Sequence, residues 1–252
     1  MIFDGRDFAE KEIKRLGDEV IKLTEKLGRK PCLATIYNPE DKASRVYTEI
    51  KATKANELGI AFEKYSILNI QHSIIDLIIK LNNDPNVDGI MIQTPLIDRE
   101  TDKNLYEMIE PTKDCDGLNP KSGVVPATVK AVLKIFELAR GRGRVVVVGQ
   151  RGLVGKEVLG QINNAVGMSA SQLDENILRV ADVIISATGY KGLIKSEMVK
   201  EGAICIDVGY PGGDFDPSCL PRASFFTPVP GGVGPVTVAC LFENLVKLVD
   251  GR

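Results

Sequence analysis

The sequence predicts an α/β protein built of two parallel-sheet domains. Three observations carry this reading. Short apolar runs suited to buried parallel strands, such as Gly89 to Gln93 (GIMIQ) and Arg144 to Gly149 (RVVVVG), alternate with amphipathic helical stretches. The alternation falls into two series, separated by Lys113 to Pro126, which is rich in Gly, Pro, Asp and Lys and reads as a hinge or boundary. The second series opens on a strand followed at once by Gly149-Gln150-Arg151-Gly152-Leu153-Val154-Gly155 and a helix. Glycines at such a turn let a helix N-terminus approach a phosphate, the arrangement of a Rossmann-like domain.

In chain order, Arg6 to Leu27 alternates charges with Ile13, Leu16, Val20, Ile21, Leu23 and Leu27, an amphipathic helix. Pro31 to Tyr37 is a strand, Ala43 to Leu58 a helix with Gly59 as its C-cap, and Ala61 to Ser66 a second strand. Ile74 to Leu81 is helical, and Gly89 to Gln93 closes the first series as a strand. Val129 to Ala139 is a helix leaving the boundary segment. Arg144 to Gly149 is a strand, with a helix to about Asn163. Asp182 to Thr188 and Ala203 to Gly209 are core strands around a short helix at Ser196 to Lys200, and Ala223 to Thr227 is a short buried strand. Val236 to Val249 runs apolar at helical spacing, with Pro235 placed as its first residue.

Composition bounds the function. Apolar residues make up 44% and charged residues 26%, the values of an ordinary globular protein long enough for two cores. A net charge of −2 gives no electrostatic footprint for nucleic acid or an anionic membrane. No apolar run reaches the ~20 residues of a spanning helix, and MIFDGRDFAEKEIKR is not a signal peptide. Cys32, Cys115, Cys205, Cys219 and Cys240 lack any metal-type spacing and read as reduced thiols of a cytoplasmic protein, several in core strands, with no metal site. The one histidine, His72, opens the Ile74–Leu81 run as a surface or capping residue. Acid–base chemistry near neutral pH therefore falls to a carboxylate, a lysine, a tyrosine or a thiol.

Five stretches carry candidate chemistry. Tyr47 and Lys51 are four apart and share a helix face, which any surface helix can show; a desolvated lysine there would exchange protons near neutrality. Gln93 stands at the C-terminal end of a parallel strand, the edge where open α/β sheets hold ligands, although a strand-end amide can equally satisfy a turn. Lys113-Asp114-Cys115-Asp116-Gly117 is either a charged turn or the carrier of a carboxylate able to accept two parallel hydrogen bonds from a guanidine-like edge. As a generic phosphate turn Gly149–Gly155 is weak, because the usual fingerprint is GxGxxG. Pro228-Val229-Pro230-Gly231-Gly232-Val233-Gly234-Pro235-Val236-Thr237 is a rigid loop between a strand end and a helix start.

That last string closely resembles the PVPGGVGPMT signature of the methylenetetrahydrofolate dehydrogenase/cyclohydrolase family, with Val236 in place of Met. Ala43-Ser44-Arg45-Val46-Tyr47 through Lys51 is similar to the family's AS-x-x-Y-x-x-x-K, Gly89 to Ile97 to its GI-x-VQ-x-PLP, and Lys113 to Pro120 to its KDVDG-x-x-P. Thr94 stands where Leu is usual and Ile97 where the second Pro is usual, changes to a pocket wall. Val145 to Gly155 is similar to VVVG-R-S-x-x-VG-x-P, with Gln150 for Arg, Arg151 for Ser and Glu157 for Pro.

The resemblance implies two α/β domains flanking a cleft: residues 1–120 with 238–252 as the folate-binding catalytic domain, and 121–237 as the Rossmann-like NAD(P)-binding domain. It implies Lys51, Gln93, Tyr47 and Asp116 as catalytic residues. Tyr47, Asp116, Pro95, Leu96, Gly232, Gly234 and Pro235 would contact folate, and Gly231 and Gly232 would let the loop approach both ligands. Gly149, Gln150, Arg151, Gly152, Leu153, Gly155, Ser169, Thr188, Gly189 and Thr237 would hold the cofactor. The implied cofactor is NADP, with NAD possible: no carboxylate lies near the expected strand end before Asp174, and Arg151 could serve a 2′-phosphate. The segment Asn164 to Ser171 is several residues shorter than the family's strand and turn, so that strand is barely present. The implied activity is oxidation of 5,10-methylenetetrahydrofolate followed by hydrolysis to 10-formyltetrahydrofolate, in a homodimer. The altered turn leaves open a cyclohydrolase with little dehydrogenase activity, or a binding protein that kept the fold.

Overall fold

The computed structural model describes residues 1–69 and 73–251; His72, read above as a surface or capping residue, lies outside the described residues. The chain forms two compact units, one of residues 10–127 with 238–252 and the other of residues 1–9 with 128–237. We call them the first and second units.

In the first unit three strands, β1 (Cys32–Tyr37), β2 (Ala61–Ser66) and β3 (Gly89–Ile92), form a parallel sheet in the order β2-β1-β3. The register pairs Leu33 with Gly89 and Ile36 with Ile92, so the ends of β1 and β3 coincide. Helices α1 (Gly5–Leu27, most of it in this unit), α2 (Lys42–Leu58), α3 (Ile74–Asn83) and α4 (Arg99–Met108) accompany the sheet. Each start has a physical cause. Asp41 accepts from the Ser44 N–H to cap α2, and Ser73 and Asp76 form a reciprocal capping box on α3. Gly59 ends α2 in the left-handed conformation, at φ 77°. The core joins one face of the sheet to α3 and α4 through Ala34, Ile36, Ile78, Leu81, Ile90, Ile92, Leu105 and Tyr106.

In the second unit five parallel strands, β4 (Val145–Val148), β5 (Val166–Met168), β6 (Val183–Ser186), β7 (Ile204–Asp207) and β8 (Phe225–Phe226), lie in the order β5-β4-β6-β7-β8. Helix α5 (Ala127–Leu138) precedes β4, α6 (Leu153–Gln161) and the single turn α7 (Glu175–Leu178) lie in the β4–β5 and β5–β6 connections, and α8 (Val233–Asp250), most of it in the first unit, follows β8. Val145 to Val148 and Val183 to Ser186 are buried throughout, as continuous apolar runs require of central parallel strands.

Several expectations change. The segment after β4 and α6 does make a strand: β5 is three residues long and pairs with β4 from Val146↔Val166 to Val148↔Met168. Helix α8 begins at Val233, so Pro235 is its third residue. A proline is tolerated there because first-turn N–H groups have no acceptor within the helix. Residues 113–126 end where the two units divide, after Ala127, and are tied to the first unit. Ile90 bridges Asp114, and the Asn244 amide of α8 donates to the carbonyls of Cys115 (3.1 Å) and Val125 (2.9 Å). Residues 1–9 belong to the second unit, where Ile2 bridges Phe226 and the terminal amine donates to the Ser224 carbonyl at 2.6 Å. All five cysteines are buried thiols, two of them (Cys32 and Cys205) in strands.

Candidate functional site

The first unit gathers its polar groups at the C-terminal ends of β1 and β3. Lys51, on α2, is 7% exposed and its ammonium donates to the Gln93 side-chain oxygen at 2.7 Å, with the Met91 sulfur at 3.5 Å. Gln93 follows β3; its backbone N–H donates to Ile36 at 2.8 Å, and its side-chain NH₂ donates to the Thr94 carbonyl at 3.2 Å. That second bond fixes the amide so that its oxygen faces the amine. Burial lowers the Lys51 pKa, opposed by the charge of Asp116 and then by Cys115. Burial likewise raises the Asp116 carboxyl, opposed by Lys51. The two groups oppose each other's burial, and a lysine whose pKa is lowered in this way gives up its proton more readily than a free one. Tyr47 is half-buried one helical turn before Lys51.

Asp116 rides on a loop built by its neighbour. The buried Asp114 carboxylate accepts from the N–H groups of Gly117 (3.0 Å) and Asn119 (2.8 Å). Desolvation still outweighs those bonds and carries the Asp114 carboxyl up to about 6. Asp114 therefore holds the loop shape, while no side-chain hydrogen bond engages the Asp116 carboxylate among the described residues.

The Thr94–Ile97 segment is positioned by an element the sequence reading did not contain. Helix α4 presents Asp102, 3% exposed, whose carboxylate accepts from the N–H groups of Leu96 and Ile97, both at 3.0 Å. The helix also supplies buried Tyr106, whose hydroxyl pairs with Thr94 and feels the Asp116 charge. Leu96 is buried while Pro95 and Ile97 are exposed. The signal for α4 was present: Asp98 caps the N–H groups of Glu100 and Thr101, with Glu100 and Asp102 acidic in the first turn.

In the second unit the turn after β4 is shaped by close approach. A Cβ at Gly155 would lie 2.2 Å from the Gly149 carbonyl oxygen, and one at Gly149, where φ is 98°, would lie 2.5 Å from that of Ala187. Only glycine lets α6 pack this tightly on the strand ends. Gly152 caps α6 with no side-chain hydrogen bond, so the first-turn N–H groups of a nine-residue helix have no side-chain cap. Leu153 and Arg151 are exposed beside it, and Arg151 adds a positive charge. Across the sheet edge Thr188 donates its N–H to Asp214 at 2.7 Å, Gly189 has φ 73°, and Ser169 is buried at the end of β5. This cradle, with no carboxylate between Gly149 and Leu173 except that of Glu157, fits the pyrophosphate of an adenine dinucleotide.

The Pro228–Pro235 loop also lies in the second unit. Gly232 is partly a packing requirement: a Cβ there would lie 2.6 Å from the Pro228 carbonyl oxygen. The Gly231 carbonyl accepts from the Gly5 N–H at 3.0 Å, and a Cβ at Gly5 would strike Gly232. Gly234 and Pro235 are half-buried in the first turn of α8, and the Thr237 hydroxyl donates to the Val233 carbonyl at 3.1 Å. Sequence reasoning missed Gly5, Asp102, Tyr106 and Asp214, whose roles depend on partners distant in the chain. Among the described residues no three metal-ligating side chains converge, and no helix is long and apolar enough to cross a membrane.

A Rossmann-like unit with a glycine phosphate turn, in one chain with a buried lysine–amide site at the strand ends of a smaller α/β unit, defines a two-domain α/β protein of the dinucleotide-binding class. The chain belongs to the tetrahydrofolate dehydrogenase/cyclohydrolase family: the catalytic-domain model matches residues 3–116 and the NAD(P)-binding-domain model residues 124–252. It is 38% identical to the bifunctional protein FolD of Halothermothrix orenii, over 98% of this chain and 96% of that one. Among solved structures, the bifunctional FolD enzyme of Campylobacter jejuni superposes with a TM-score of 0.90 at 34% identity, covering 100% of this chain and 99% of that one. The Trypanosoma brucei FolD, solved with NADP and an inhibitor, gives 0.91 at 29% identity, covering 100% and 97%.

Proposed function

We propose that this chain is a bifunctional folate enzyme, which oxidises 5,10-methylenetetrahydrofolate to the 5,10-methenyl form and hydrolyses that to 10-formyltetrahydrofolate. The single observation that carries this is the buried Lys51 ammonium held at 2.7 Å by Gln93, in a chain that belongs to this family from residue 3 to residue 252. Hydrolysis of a methenyl cation needs a group that accepts a proton from water and later donates one to the departing ring nitrogen. A lysine tuned by burial does both, and Gln93 holds it in one rotamer between the two steps. Asp116 is the acceptor for the 2-amino-pyrimidinone edge of the pterin, because Asp114 already satisfies the loop's N–H groups. Tyr47 stacks on the rings, and Pro95 and Leu96 wall the pocket.

NADP is the cofactor of the first reaction, with NAD as its alternative, and when bound it supplies the hydride acceptor. The protein's part is to orient: Gly149, Gly152, Leu153 and Gly155 open the α6 N-terminus to the pyrophosphate, with Gln150, Arg151 and Ser169 towards the adenosine and Thr188, Gly189 and Thr237 further along. The first unit, residues 10–127 with 238–252, would be the folate domain and the second, residues 1–9 with 128–237, the dinucleotide domain, in a cytoplasmic homodimer. Gly232, Gly234 and Pro235 complete the folate contacts.

The test mixes purified protein with 5,10-methylenetetrahydrofolate and NADP, then NAD, while following reduced nicotinamide by absorbance. Methenyltetrahydrofolate decay is followed separately. Reduction together with decay above the spontaneous rate is expected. Decay alone would reduce the protein to a cyclohydrolase, and silence in both assays from folded protein would overturn the reading.

A further inference from the structure

The second unit holds a cavity of about 360 Å³ away from the glycine turn. Its apolar walls are Leu133 and Phe136 of α5, Val145 at the start of β4 and Ile162 just past the end of α6. The Gly149–Gly155 turn follows the end of β4 and opens α6, so turn and cavity occupy opposite ends of both elements. The volume lies at the lower end of the range for small-molecule sites, roughly 300–1,000 Å³.

The walls are fixed by the loop that links α5 to β4. The Phe136 ring lies over Gly141, where a Cβ would come within 2.3 Å of it, and the Gly141 N–H donates to the Phe136 carbonyl at 2.8 Å. At the far end of the loop Gly143 has φ 86°, and the Arg144 N–H donates to the Asp182 carboxylate at 2.8 Å. Two non-glycine residues among the described ones have a positive φ, and both flank the cavity: Arg140 at 55°, just before Gly141, and Asn164 at 61°, two residues past Ile162. Arginine is seldom held in that region, and such backbone clusters where ligands bind. Two opposite charges, Glu137 and Arg142, also line the cavity. Both are exposed, and among the described residues no ion pair or side-chain hydrogen bond engages either of them. Glu137 shares a face of α5 with Leu133, four residues earlier. A simple anion in this cavity would meet the Glu137 carboxylate, and a simple cation would meet the Arg142 guanidinium. A zwitterion with an apolar tail matches both charges and the walls.

We propose that this cavity binds a free α-amino acid with an apolar side chain. The Arg142 guanidinium takes the carboxylate through its planar fork, the Glu137 carboxylate takes the ammonium, and the side chain lies among Leu133, Phe136, Val145 and Ile162. The folate and dinucleotide chemistry proposed above uses none of these residues, so the site stands or falls independently of that reading.

The experiment titrates the full chain with L-phenylalanine, L-leucine and L-methionine, and follows the methyl NMR signals of Leu133, Val145 and Ile162. N-acetyl-L-phenylalanine, which lacks the ammonium, and L-phenylalaninamide, which lacks the carboxylate, are the controls. Saturable shifts at those methyls are expected for at least one amino acid, with a dissociation constant of about 1 mM or tighter. Each control should bind about tenfold more weakly than phenylalanine, or worse. Glu137→Gln should erase the preference over the N-acetyl compound, and Arg142→Gln the preference over the amide. Both side chains are exposed, so the variants should fold as wild type does, and circular dichroism checks this. Methyls that stay unmoved by all three amino acids at about tenfold above that constant would overturn the proposal. Controls that bind as tightly as phenylalanine, or shifts that both variants leave unchanged, would overturn it as well.

Discussion

At the scale of single residues, Lys51 is a buried cation whose charge is met by a neutral amide and, more weakly, by Asp116. The folded protein holds this proton less tightly than the unfolded chain, whose lysine titrates at 10.5. Its cost to stability is therefore full below the lowered folded value and fades as pH rises towards 10.5. Lys51→Met removes that cost while keeping the stem, so its melting temperature at neutral pH should equal or exceed that of wild type. Methenyl hydrolysis should fall by about 100-fold or more, because a proton carrier is gone. A Lys51→Met protein of full activity would strip the residue of its role. Asp116→Asn should weaken folate binding by about tenfold or more through the lost charged hydrogen bonds. It should also shift the acidic limb of the pH–rate profile to lower pH, because the Asp116 charge holds the proton on Lys51. An unmoved profile with weakened binding would separate the two groups.

At the scale of elements, helix α4 shows what the sequence revealed and what it hid. Strands β1, β3, β4, β6 and β7 were legible because each is a continuous apolar run, and α2 because its cap, face and Gly59 stop agree. Helix α4 escaped because its ten residues, RETDKNLYEM, bury only Asp102, Leu105 and Tyr106, a stripe too narrow to register as periodicity. Lys51 and Gln93 were legible as a pair only through the family motif, since 42 positions separate them and no local pattern joins them. Yet α4 positions the wall of their site. Asp102→Ala would strand the N–H groups of Leu96 and Ile97, costing about 1–3 kcal/mol in denaturant unfolding. The same variant should slow methenyl hydrolysis, because Pro95 and Leu96 lose their anchor while Lys51 is untouched. Asp102→Asn, which keeps one acceptor oxygen, should recover part of both losses; equal damage in the two variants would mean that packing, not hydrogen bonding, fixes the segment.

Across the whole molecule each unit carries a buried acid that shapes a loop and whose carboxyl burial raises. Asp114 does this in the first unit; Asp207, at the end of β7, accepts from Gly209, Asp214 and Phe215 in the second. In both, desolvation is the leading cause that lifts the carboxyl from 3.8 to about 6. The sign of the linkage follows. A carboxyl whose folded value lies above its unfolded one binds protons more readily when folded, so stability grows as pH falls from above 6 towards 3.8. Exposed carboxylates work the other way: Asp216, lowered to about 2 chiefly by Ser218, and Asp98 and Asp182, lowered by Thr101 and Lys200, withdraw stability only as they protonate below their unfolded value of 3.8. Unfolding free energy measured in urea should therefore rise between about pH 7.5 and 5 before falling in stronger acid, and carbon-detected NMR should place the Asp114 and Asp207 midpoints near 6. A stability that declines steadily from pH 7.5 downward, with both carboxyls titrating near 3.8, would mean that the loop N–H groups outweigh burial and that these acids are ordinary anionic caps.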